Sequence, residues 1–165
     1  MLKLNRMTDY AILVLGILAT RTDRYVSSSE VARLSNLEKP TIAKLIKQLA
    51  AAQIIVSQRG SQGGARFVKH LGLINLAEVI EAIEGPIALT ACVEGSQEPC
   101  DVKNICFMSG NWNQVNQALY AALSSVTLEK LFDSAKLFPK ADSLKSPGLD
   151  TMMFSSTAIT EMELK

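Results

Sequence analysis

Between Thr8 and Thr20 the chain is apolar on nearly every side, which predicts a helix capped by Thr8, with Asp9 in its first turn, sandwiched between neighbours. Ser27-Ser28-Ser29-Glu30 is a capping-box pattern and predicts a second helix carrying Val31, Ala32 and Leu34 as far as Leu34 or Ser35. After the break Ser35-Asn36-Leu37, a third helix takes Pro40 in its first turn. It places Ile42, Leu45, Ile46 and Leu49 on one face, with Thr41, Lys44 and Gln48 on the other and Lys47 beside them. Past Gln53 the period changes. Ile54–Ser57 and Arg66–Val68 are predicted as two short strands joined by Arg59-Gly60-Ser61-Gln62-Gly63-Gly64. Helix, helix, turn, helix, hairpin is the layout of a winged helix-turn-helix, expected to occupy residues 1–72.

Downstream, Asn75 caps a fourth helix that presents Leu76, Val79, Ile80 and Ile83 on one face and ends at Gly85-Pro86. Residues 87–106 read as a loop and hold all three cysteines. A long helix is predicted over 108–125, with Met108, Trp112, Val115, Leu119, Ala122 and Val126 along one seam, and Thr127 then caps a short helix to Phe132. From Asp133 onward no period survives, so 133–165 is expected to be a flexible tail. The expected fold class is therefore mainly α with a small β-hairpin wing.

Composition narrows this picture. Aromatics make up only 5% of the 165 residues, so the core must be aliphatic, which favours helices. The longest apolar run, Ala11–Ala19, is nine residues, too short to cross a bilayer. No cleavage pattern follows the N-terminal MLKLNRMTDY, so a cytoplasmic chain is expected, and an odd number of cysteines there argues against a disulfide framework. The net charge of +1 conceals a split. Residues 1–70 hold eleven bases and four acids, a net +7, and residues 71–165 hold six bases and twelve acids, a net −6. A basic half of this kind is the electrostatic footprint of a nucleic-acid reader.

In such a fold the second helix of the pair enters the major groove, and its first turns meet base edges. Those positions are Glu38, Lys39, Pro40, Thr41 and Lys44. Lysine donates to guanine, glutamate accepts from cytosine N4, and threonine offers a methyl or hydroxyl. In the wing, Gly60, Gly63 and Gly64 allow close approach to a phosphate and also serve a tight turn, and Arg59 suits a narrow minor groove. Cys92, Cys100 and Cys106 contain no CxxC pair for zinc and fall one thiolate short of a four-cysteine cluster. By spacing they are either three free thiols or part of a soft-metal site. His70 is the only histidine, and neither a nucleophile–base pair nor a phosphate loop is present, so an enzyme is not expected.

The start KLNRMTDYAI, the wing RGSQGGARF, the helix NLAEVIEAIEGPIAL, and Cys92, Cys100 and Cys106 followed by Trp112 resemble the IscR and NsrR type of winged-helix regulator, many of which carry an iron–sulfur cluster. The segments EVIEAIEGPIALTACVEGS and SGNWNQVNQAL look like the branch that regulates the SUF iron–sulfur assembly system. The resemblance spans about residues 1–132. It implies a homodimer through the long helix, two winged domains on a double-stranded operator, and repression of assembly genes when clusters are plentiful. It also implies that residues 73–132 form a cluster-binding loop and dimerisation helix, with Cys92, Cys100 and Cys106 as ligands. In the IscR branch a histidine lies three residues after the third cysteine, and that position here is Ser109. In the NsrR branch an N-terminal aspartate from the partner subunit completes the shell, and MTDYAI places Asp9 there. The implied cofactor is a four-iron, four-sulfur cluster, with a two-iron, two-sulfur cluster as the smaller option. If the cysteines do not serve a cluster, they bind zinc or act as redox thiols, in a regulator or in a protein–protein adaptor.

Overall fold

The computed structural model describes residues 3–60, 63–102, 105–108 and 111–132. The expected tail at 133–165 and the position of Ser109 lie outside the described residues. In chain order the elements are α1 (Arg6–Ala19), α2 (Ser28–Ser35), α3 (Lys39–Ala51), β1 (Ile55–Gln58), β2 (Gly64–Phe67), a single 3₁₀ turn (Leu71–Leu73), α4 (Leu76–Glu84), α5 (Asn111–Ser124) and α6 (Leu128–Leu131). Among the described residues, no helix is long and apolar enough to cross a membrane.

The first helix starts earlier than its apolar pattern predicts. Asn5, not Thr8, is the cap, its side-chain oxygen accepting from the Met7 N–H at 3.1 Å. Thr8 is instead fully buried and donates its hydroxyl to the carboxylate of Glu84, the last residue of α4. The same carboxylate accepts from the Asn5 N–H at 2.9 Å, so the start of α1 is pinned to the end of α4. At α2 the capping box forms by half. Ser27 Oγ accepts from the Glu30 N–H at 3.2 Å, while the Glu30 side chain turns to two arginines. Asn36 then takes a left-handed conformation (φ 56°), which asparagine tolerates, and this turn swings the chain from α2 into α3.

The hairpin forms, with its first strand one residue later than predicted and its second running from Gly64 to Phe67 instead of Arg66 to Val68. Ile55 pairs with Phe67 and Gln58 with Gly64, whereas Ile54 and Val68 lie just outside the ladder. A third segment joins it at Val26, whose N–H and C=O both bond to Ala65 at 2.9 Å. Gly64 sits where that segment crosses: a Cβ there would lie 2.3 Å from the Val26 carbonyl oxygen, so only glycine fits.

One core holds the elements together. Leu15 and Leu18 of α1, Val31 of α2, Ile42, Leu45 and Leu49 of α3, and Ile54 and Ile55 meet there with Ile74, Val79, Leu128 and Phe132. Residues from both sides of position 72 therefore share it. Backbone bonds reinforce the union, from Leu76 N–H to Val126 O at 2.8 Å and from Leu128 N–H to Ile74 O at 2.9 Å. Asn75 and Thr127 cap α4 and α6 as predicted.

The last long helix is shorter than predicted, beginning at Asn111 rather than at 108. Its expected seam divides. Trp112 and Leu119 are half-buried, but Val115 is 49% exposed and Ala122 is exposed too. The covered stripe runs through Trp112, Asn116, Leu119 and Leu123, because that side meets α4 and the cysteine loop. No residue of α5 is fully buried and none carries a charge.

Candidate nucleic-acid interface and cysteine loop

The recognition face follows from how α3 is buried. Ile42, Leu45, Ile46 and Leu49 fill its inner side, which leaves Lys39, Pro40, Lys44 and Lys47 exposed and Thr41 half-buried. Glu38 stands exposed at the helix start and makes no capping bond. Between α3, the N-terminus of α2 and the wing lies an open groove of about 710 Å³. Its walls bring Lys47, Arg59, Gly60, Gly63 and Gly64 together with Ser27, Ser28, Ser29, Ser57 and Gln58. The serines went unnoticed as site residues, since three serines before a helix signal only a cap. In the fold they also put the unpaired N–H groups of α2 on the groove, a natural place for a phosphate.

The basic residues of this half are not equivalent. Arg21 and Arg24 both reach Glu30, at 2.9 and 2.8 Å, Lys69 reaches Glu78 at 2.7 Å, and Arg66 stacks on the Tyr25 ring at 4.9 Å. Among the described residues, Lys39, Lys44, Lys47 and Arg59 have no carboxylate partner. Lys3, Arg6, Arg33 and Arg66 lack one as well, so of the eight bases in this half without a carboxylate partner among the described residues, five lie on α3 and the hairpin.

The Glu30 cluster is testable by pH. A hydrogen bond from Arg24 outweighs burial and holds the Glu30 carboxyl below the usual carboxylate range, and the same bond raises Arg24. The unfolded value is about 4.3, so the pair's contribution is complete above that pH and is lost as pH falls through the lower folded value. Thermal melts of the wild type and Glu30→Gln should differ most at neutral pH and converge in strong acid.

The cysteine loop leaves α4 through Gly85, at φ +90°, and is fastened at its near end to α5. Asn116 Nδ2 donates to Ile87 O at 2.9 Å while its Oδ1 accepts from Leu89 N–H at 3.0 Å. Asn113 Oδ1 accepts from Glu94 N–H at 3.0 Å. Cys92, Cys100 and Cys106 are all unpaired and half-buried, with Cys92 Sγ 3.1 Å from Thr90 Oγ1. Three thiols on one loop are the donor chemistry of an iron–sulfur cluster. Among the described residues, however, no three His, Cys, Asp or Glu side chains converge as a metal site, so gathering the thiols requires the loop to rearrange. Asp9 is exposed in the first turn of α1, on an apolar groove of about 820 Å³ with Ile12, Leu13, Ile17, Leu34 and Phe132.

A sequence model of Rrf2, described as an iron-dependent transcriptional regulator, matches residues 4–134. The chain belongs to the Rrf2 family. The HTH-type transcriptional regulator NsrR of Bacillus licheniformis is 30% identical over 131 residues, which are 79% of this chain and 92% of that protein. Among solved structures, CymR of B. subtilis, titled the global cysteine regulator, is similar at a TM-score of 0.62 and 25% identity, covering 81% of this chain and 98% of its own. T. potens IscR superposes at a TM-score of 0.60 with 22% identity, over 89% of this chain and 94% of its own. The Rrf2 chain described here is thus a winged-helix, DNA-binding transcriptional regulator and not an enzyme.

Proposed function

We propose that this Rrf2 protein is a cytoplasmic, homodimeric repressor of SUF iron–sulfur assembly genes that responds to an iron–sulfur cluster on its cysteine loop. The observation that carries the reading is the placement of three unpaired, half-buried thiols between α4 and α5, on the loop that joins the DNA-reading half to an uncharged helix. Glu38, Lys39, Pro40, Thr41 and Lys44 read bases in the major groove, and Arg59 with Gly60, Gly63 and Gly64 approaches the backbone and minor groove. The exposed, chargeless side of α5, with Val115 and Ala122 on it, is the seam for a second copy.

Cys92, Cys100 and Cys106 hold the cluster, with Asp9 of the partner subunit as fourth ligand and four iron with four sulfide as the favoured composition. When bound, it supplies iron chemistry that oxidants destroy. The chain's own part is mechanical. Glu84 ties the root of the loop to α1, and Gln48 of α3 reaches the Ile83 carbonyl at 3.4 Å. A rearrangement of the loop is therefore felt at the recognition helix and, through α5, in the spacing of two recognition helices on an operator.

Anaerobic purification followed by a visible spectrum with iron and sulfide counts tests this. About four of each per chain supports the full site, and about two of each points to the smaller cluster. A colourless protein that resists reconstitution overturns the cluster. The second reading then takes over, zinc or redox thiols on a DNA-binding regulator; of these, free thiols fit the separated cysteines of the described residues directly, while zinc would need the same gathering of the loop.

A further inference from the structure

The three cysteines are held very differently. Cys92 lies in a segment bonded to α5 on both sides of it, at Ile87 and Leu89 before and at Glu94 after. The adjoining Val93 is buried, at 5% exposure, so the backbone cannot rotate freely beside the thiol. Cys100 and Cys106 lie farther along, where the described backbone makes turn bonds within the loop, as from Cys106 N–H to Val102 O at 2.9 Å. Among the described residues, no hydrogen bond joins 97–106 to a helix.

The fastening depends on a chemistry that asparagine provides in one side chain. Asn116 both donates and accepts, to a carbonyl and an N–H two residues apart, and so completes the loop backbone as a neighbouring strand would. Asn113, one turn earlier on the same face, accepts from the Glu94 N–H on the far side of Cys92. We propose that Asn116, with Asn113, is a positioning residue for the Cys92 thiol, making Cys92 the fixed donor toward which Cys100 and Cys106 are drawn. This rests on the reading of Cys92 as a ligand.

The test uses the full-length protein, first without metal. In Asn116→Ala the Leu89 amide exchanges about tenfold faster, equivalent to about 1.4 kcal/mol of local opening. Iodoacetamide labels Cys92 faster in that variant, while Cys100 and Cys106 label as in the wild type. Asn116→Asp keeps the acceptor for Leu89 and loses the donor to Ile87, so its exchange falls between the two. Asp23→Ala, exposed in the turn between α1 and α2, changes nothing. After anaerobic reconstitution, Asn116→Ala gives up iron to a chelator several-fold faster than wild type.

Unchanged exchange and labelling in Asn116→Ala overturn the proposal, as does equal acceleration at all three cysteines, which marks general loosening. Selective labelling with unchanged iron release also overturns it, because the positioned thiol is then not a ligand. If the wild type takes up no iron, the cluster reading falls by itself, and the metal-free labelling still decides whether Asn116 positions Cys92.

Discussion

Replacing Lys44 with alanine should weaken binding to a duplex selected from a random pool by the wild-type protein by about 1–3 kcal/mol, roughly ten- to a hundredfold, and relax sequence preference there. Lys44 projects from the exposed face of α3 in its second turn, with no carboxylate to offset it among the described residues. Lys47 should behave otherwise. It borders the groove shared with the wing, where a phosphate strand would pass. Lys47→Ala should weaken all duplexes alike and lower the slope of log affinity against log salt by about one. Titrations of both variants across a salt series separate the two roles. A Lys44→Ala protein with wild-type affinity and selectivity would remove that residue from base reading.

A second large effect is expected at Gly64. Valine there drives a side chain into the Val26 backbone, with Cβ 2.3 Å from its carbonyl oxygen and 2.5 Å from its carbonyl carbon. Forced separation costs about 1–3 kcal/mol, and the two Val26–Ala65 bonds add about 1 kcal/mol each. The melting temperature should fall by about 12 °C, taking about 4 kcal/mol as the central value of that sum. Gly60→Ala provides the contrast: its φ of +112° disfavours a side chain, yet nothing lies within 4 Å, so only backbone strain of about 1 kcal/mol is expected. A Gly64→Val protein that melts with the wild type would mean that the Val26 segment is not joined to the hairpin.

These two positions also mark where sequence pattern was informative and where it was not. The face of α3 was legible because Ile42, Leu45, Ile46 and Leu49 repeat with the helical period and leave the lysines opposite. The hairpin is legible but its bounds are not: Ile54 and Val68 have strand-forming side chains, while the second strand starts two residues early at Gly64, beside Ala65, which pairs with Val26 nearly forty residues upstream. Thr8 fits a cap locally and was claimed from that role by Glu84, 76 residues away. In α5, the covered side depends on where α4 and the loop lie, which no repeat within the helix encodes. Asn113 and Asn116 look like solvated polar positions until the cysteine loop is folded against them. Residue spacing left the three thiols open between free thiols and a soft-metal site, and in the described loop they stand apart.

The shared core has an evolutionary consequence. Phe132 and Leu128 share one core with residues of α1, α3 and the start of α4, so the winged half is completed by the end of the segment proposed as the sensor. Such halves cannot be exchanged like cassettes, because a foreign sensor would arrive without the side chains that finish the host's interior. The described part of the loop at 87–106 adds no side chain to that core, so it is the segment that can change without disturbing it.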